Sequence, residues 1–186
     1  MRESKSFFFN YRHARFLKIL HNNARLAKDT IKPVHEIDVK KIAVLFDASI
    51  VEDKDLIFTF AKNLEKTGAK VTLMGYLDHQ ADTSGLHFKN FNNSDRSFFF
   101  IPKNYDVDRF LEVKYDILIN ADLSQSLSLH YLAVMASAHL KVGPYSDLSE
   151  YYHLLLETKD TFIIKQYIRD LIDILNKVCF HGKLSF

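Results

Sequence analysis

Residues 40–49 read "KKIAVLFDAS". Ile42 to Phe46 form an unbroken apolar run between Lys41 and Asp47. Such a run, short and bounded by charges, predicts a strand buried on both faces, as the strands of parallel sheets are. Downstream, "EDKDLIFTFAKNLEKTG" places Leu56, Ile57, Phe60, Ala61 and Leu64 at helical spacing, with Gly68 positioned to end the helix. "AKVTLMGYLD" then gives a second strand. Strand, helix and strand within residues 41–77 predict a right-handed βαβ unit.

The remainder continues the alternation. Residues 79–97 are rich in turn formers and read as a loop, with room for an irregular strand; "FFFIP" (98–102) reads as a short strand stopped by Pro102. "NYDVDRFLEVK" predicts a helix capped by Asn104, and "YDILINAD" a fourth buried strand. Ser126 to Leu140 reads as a helix, "KVGPY" as a very short strand, "YYHLLLET" as an edge strand and Asp160 to Val178 as a long C-terminal helix. The expected fold is a Rossmann-like, doubly wound, mostly parallel sheet of about five strands in the order 3-2-1-4-5.

Upstream lies a segment of different character. Residues 1–32 hold eight Lys or Arg and only two acids, whereas the whole chain carries a net charge of +2, so the body is acidic. From Tyr11 to Lys28 a helix is predicted, with Phe16, Leu17, Leu20, Ala24 and Ala27 on one side and Arg15, Lys18, Arg25 and Lys28 mainly on the other. The expected organisation is a basic arm and amphipathic helix (1–32), a linker (33–40), an α/β domain (41–180) and a short tail (181–186). Arg12, Arg15, Lys18, Arg25 and Lys28 are the candidates for contacting an anionic partner, RNA or protein. The competing reading docks the apolar face of this helix on its own domain or on another subunit.

Several chemistries lack their residues. The turn after the first strand contains no glycine, and the chain has five in all, so neither a dinucleotide fingerprint nor a phosphate loop is present. The nucleophile loop of haloacid dehalogenases needs a second carboxylate two residues after the first, where this chain has Ser49. No His pair has metal-binding spacing, and the single Cys179 excludes an intrachain disulfide. No apolar run approaches the ~20 residues of a membrane span, and the expected compartment is the cytoplasm. No catalytic residue, cofactor or metal is assigned.

In an open α/β sheet, ligands gather at the C-terminal ends of the strands where the winding reverses, here between strands one and four. Asp47, Ser49, Asn120, Asp122, Ser124 and His130 are therefore the candidates for a ligand crevice. The competing reading makes Asp47 or Ser49 the cap of the first domain helix, Ser124 or Ser126 the cap of a later one, and Asp122 the pivot of an Asx-turn.

The segments "LFDAS", "LSLHY" and "KVGPY", with the basic helix before them, resemble an uncharacterised bacterial domain-of-unknown-function family, numbered 6913 and of Bacteroidota type. The resemblance spans roughly residues 10–178 and implies a cytoplasmic α/β protein, with no catalytic residue carried over. One βαβ unit, "YDILIN…AHLKVG", is distantly similar to one half of heptosyltransferase-like glycosyltransferases. The expected function is that of a non-catalytic binding protein engaging a macromolecule through residues 1–32. The alternative is a small-molecule-binding protein or enzyme acting on a nucleotide or sugar in the crevice.

Overall fold

The computed structural model describes residues 7–24, 38–81, 83, 85–157, 163–180, 182 and 184. Helix α1 (Phe7–Ala24) precedes β1 (Lys41–Asp47), α2 (Val51–Glu65), β2 (Lys70–Leu77), β3 (Lys89–Asn92), α3 (Tyr105–Leu111), β4 (Tyr115–Asn120), α4 (Leu127–Met135), β5 (Ala138–Pro144), β6 (Leu154–Leu156) and α5 (Ile164–Leu175). The six strands form one parallel sheet in the order β3-β2-β1-β4-β5-β6. The winding thus reverses between β1 and β4.

The alternation along β1 sorts the core into two layers. Ile42, Val44 and Phe46 face α2 and α5 with Ile117, Ile119, Leu140 and Val142. Ala43 and Leu45 face α3 and α4 with Leu118, Met74 and Phe110. Helix α4 is apolar nearly all round, and the reason is a further layer. Its outer side carries Val134, which packs under Phe16 and Leu20 of α1. The apolar face of α1 therefore docks on its own domain. Burying side chains of this kind contributes roughly 1.5–3 kcal/mol each.

Local punctuation agrees with the chemistry at two points. Asn104 caps α3, its Oδ1 accepting the Val107 N–H at 2.9 Å. Gly68 takes φ +91° just past α2, with its N–H donating to the Glu65 carbonyl.

Elsewhere the structure corrects the expectations. "FFFIP" is not a strand: the third strand is Lys89–Asn92, inside the stretch read as a loop. Phe100 instead has φ 62°, and it joins the cluster beneath α1 along with Ile101. An apolar run alone does not say which layer it fills. The helix expected to reach Leu140 stops at Met135, because Ala136 is extended and residues 138–144 form β5. His139 accordingly lies on β5, not on a helix with His130. Asp47 and Ser49 do not cap α2, whose N-cap is Ile50 without a side-chain bond. Asp47 accepts the Ser49 N–H, and the Ser49 hydroxyl accepts the Asp78 N–H, so the pair ties the turn to the end of β2. In the expected tail, Leu184 is buried and exchanges two hydrogen bonds with Asn176. Arg25, Lys28 and the linker residues 33–37 lie outside the described residues.

Candidate functional site

The six crevice candidates do not share one cavity. Asp47 and Ser124 line a pocket of about 320 Å³ on the α2 and α5 side, together with Ile50, Asp53, Leu123 and Ile163. Asn120, Asp122 and His130 line a second pocket, of about 310 Å³, on the α4 side. Its other walls come from His13 and Leu17 of α1, Gln125–Leu127 at the start of α4, and Pro144, Leu148 and Tyr152. Ser49 lines neither, its hydroxyl being used by Asp78.

The second pocket is the more organised of the two. Asp122, two residues past the end of β4, has 1% of its surface exposed. Its carboxylate accepts the Ser124 N–H at 2.9 Å, the Ser124 hydroxyl at 2.6 Å and the Ser126 N–H at 2.6 Å. The expected Asx-turn is thus present, and it does more than turn the chain. Ser126 is the N-cap of α4 but makes no side-chain cap bond, so the Asp122 carboxylate holds the helix start instead. Gln125, between them, takes φ 57°, a left-handed conformation that costs energy for a side-chain-bearing residue. Burial outweighs these bonds and pushes the Asp122 carboxyl up to about 6.

Behind Asp122 runs a chain of hydrogen bonds whose proton positions can be worked out. The Asp122 N–H donates to Asn120 Oδ1 at 3.3 Å, which fixes the amide orientation. Asn120 Nδ2 therefore donates to the Tyr152 oxygen at 2.8 Å. The Tyr152 hydroxyl and His130 Nδ1 share a hydrogen bond of 3.1 Å, and with no other acceptor at hand we assign the Tyr152 proton to it. His130 is then the neutral tautomer with its proton on Nε2. Burial, reinforced by Lys141, lowers its pKa to about 4 and keeps it neutral. The His130 Nε2 has no partner, although the residue is only 6% exposed. Among the described residues, three buried side-chain polar atoms lack a partner: Ser126 Oγ, His130 Nε2 and His139 Nδ1. The first two belong to residues lining this one pocket.

Two supports hold the chain in place. Tyr167 of α5 donates through its hydroxyl to the Asn120 carbonyl at 2.9 Å. Gly143 lets the Tyr152 ring lie on β5, since a Cβ there would come within 2.5 Å of Tyr152 Cε1. Neither Tyr152 nor Tyr167 was legible as a site residue. Gly143 in "KVGPY" was the only local sign that something approaches that strand closely. Asp47 is separated from Asp122 and His130, since it lines the α2-side pocket and they line the other.

Of the basic candidates, Arg12 is committed to its own fold. Its Nε donates to the Phe98 carbonyl at 2.7 Å, and its guanidinium lies 4.6 Å from the Phe98 ring and 4.0 Å from the Phe100 ring. Arg15 and Lys18 are exposed. No described helix is long and apolar enough to cross a membrane.

Fold and pocket define a Rossmann-like α/β protein, with one helix beyond the usual layers closing a cavity at the strand ends. The chain belongs to the family of unknown function DUF6913, whose model matches residues 13–178. Among solved structures it is similar to E. coli heptosyltransferase WaaC with ADP, with a TM-score of 0.44 and 11% identity, over 78% of this chain and 49% of that one. The chain spans about half the length of that structure, and a likeness at this level carries no argument about activity. No curated protein matches the chain.

Proposed function

We propose that the chain is a cytoplasmic binding protein for a compact, uncharged organic molecule that offers a hydrogen-bond acceptor. The observation that carries this reading is a pair of buried, unpartnered polar atoms, His130 Nε2 and Ser126 Oγ, on two residues that line one pocket. Each unsatisfied buried group costs roughly 1–3 kcal/mol, a cost that an acceptor on a ligand would offset. Leu17, Leu127, Pro144 and Leu148 supply apolar walls, the usual setting for a small-molecule site. The lining residues include no Lys or Arg but do include Asp122 and Asp147. That charge balance disfavours a phosphate and favours a neutral carbonyl compound or nucleobase-like heterocycle.

Binding fits better than catalysis. With Tyr152 donating to His130 Nδ1, the neutral ring carries its own proton on Nε2, and neither nitrogen is then free to act as a general base. Native mass spectrometry of the full chain, incubated with a metabolite extract, tests the proposal. The expected result is one adduct, lost when His130→Phe removes the donor. An extract that yields no adduct, or one equally retained by the variant, would remove this reading. Docking of a macromolecule on α1 is a second reading, favoured by the exposed aromatic residues on that helix.

A further inference from the structure

At the N-terminal end of α1, Phe7, Phe8 and Tyr11 are 81%, 70% and 57% exposed, and Phe98 in the loop before α3 is 58% exposed. These residues form one surface. The Phe7 and Phe8 rings meet edge-on at 6.1 Å, Phe98 and Phe99 likewise at 5.4 Å, and Tyr11 reaches Phe99 at 6.4 Å. Phe7 and Phe8 lie four and three residues before Tyr11, which brings their side chains to the same part of the helix. Arg12 fastens the two halves by gripping Phe98 and Phe100, which holds the Phe98 side of the surface against α1. Exposed large aromatics in this number are not needed for the core, which α1 completes with Phe16 and Leu20.

The helix that carries three of them bears charge of one sign. Helix α1 contains no Asp or Glu, and Arg15 and Lys18 lie exposed further along it. The first 32 residues hold eight basic and two acidic side chains. Exposed aromatic rings beside cations are the components of sequence-tolerant single-strand binding: bases stack on the rings and phosphates meet the cations. We propose that Phe7, Phe8, Tyr11, Phe98 and Phe99, with Arg15 and Lys18, dock single-stranded RNA. RNA docking on this surface would leave the pocket on the inner side of α1 untouched.

Fluorescence anisotropy on the full chain tests the proposal, using a labelled oligouridine of about 12 nucleotides and the matching duplex at about 50 mM salt. The single strand should bind more tightly than the duplex. Phe7→Ala, Phe8→Ala and Tyr11→Ala combined should weaken it by at least about tenfold with unchanged melting, since all three are exposed. Arg15→Gln with Lys18→Gln should lower the slope of log affinity against log salt by about 1.4, at roughly 0.7 per lost phosphate contact on a single strand. Absence of oligouridine binding, or equal affinity in the aromatic variant, would overturn the proposal. So would a wild-type dimer in sedimentation that the aromatic variant dissolves, because the surface would then belong to a second copy. Tighter binding of polyglutamate than of oligouridine would assign it to an acidic protein and overturn it as well.

Discussion

Replacing His130 with Phe separates two buried titrations that oppose each other in the wild type. The ordinary His130 pKa of 6.5 falls to about 4 in the fold. Between those values the unfolded chain takes up a proton that the folded one refuses. Stability from this residue is therefore complete above pH 6.5 and is lost as the pH falls toward 4. At about 1.4 kcal/mol per pH unit the loss is about 3.4 kcal/mol. Asp122 works the other way. Its carboxyl rises from 3.8 to about 6, so the folded chain binds a proton first, and stability increases by about 3 kcal/mol as the pH falls from 6 toward 3.8. In the wild type the two nearly cancel. Phe keeps an aromatic outline and does not titrate. At pH 7.5 the variant loses the orphaned Nε2–H but orphans the Tyr152 hydroxyl proton, two terms of roughly 1–3 kcal/mol and opposite sign. It should therefore match the wild type within about 1 kcal/mol at pH 7.5 and exceed it by about 3 kcal/mol near pH 4. Urea unfolding followed by circular dichroism at pH steps between these limits reads the difference directly, because all other groups are common to both chains. Parallel pH profiles would refute the assignment of a buried, neutral His130.

Gly143→Ala should force the Tyr152 ring off β5 and destabilise by about 1–3 kcal/mol, a fall of roughly 2–4 °C in Tm per kcal/mol; unchanged calorimetric melting would mean that the contact is slack. Phe16→Ala should cost about 3–5 kcal/mol in urea unfolding if α1 is an integral layer, whereas a loss under 1 kcal/mol would describe a helix resting loosely on α4. Calorimetry with ATP or GTP should show no submicromolar binding, because the β1–α2 turn has no glycine and the α4-side pocket no cationic lining residue; tight triphosphate binding would contradict both points.

The parallel sheet could be read because β1 and β4 are continuous apolar runs with charged ends, a pattern few other elements produce. The errors share one physical origin. Phe100 and Ile101 are apolar because α1 adds a layer over α4, whereas Ala136, Ala138 and Leu140 fill the layers on the two faces of the sheet, and short apolar runs of either kind lack the periodicity that separates helix, strand and packed loop. The crevice residues at the strand ends were legible from topology. Their division between two pockets was not, because it depends on the alternation of side chains across the sheet beyond the strand ends. Tyr152 and Tyr167 reach Asn120 from 32 and 47 residues away in sequence, and no local pattern encodes such a contact. Asp122 was visible as a turn residue, but its role in holding α4 depends on Ser126 leaving its own hydroxyl unused.

His130, which lines the α4-side pocket, holds a buried ring nitrogen, Nε2, with no partner. Long-range ¹H–¹⁵N correlation spectra of the His130 imidazole, on the full chain at pH 7 without ligand, measure its protonation most directly. A neutral ring protonated on Nε2 is expected, with an Nε2 resonance that moves when an acceptor-bearing ligand binds. A ring protonated on Nδ1, or a doubly protonated imidazolium, would contradict it.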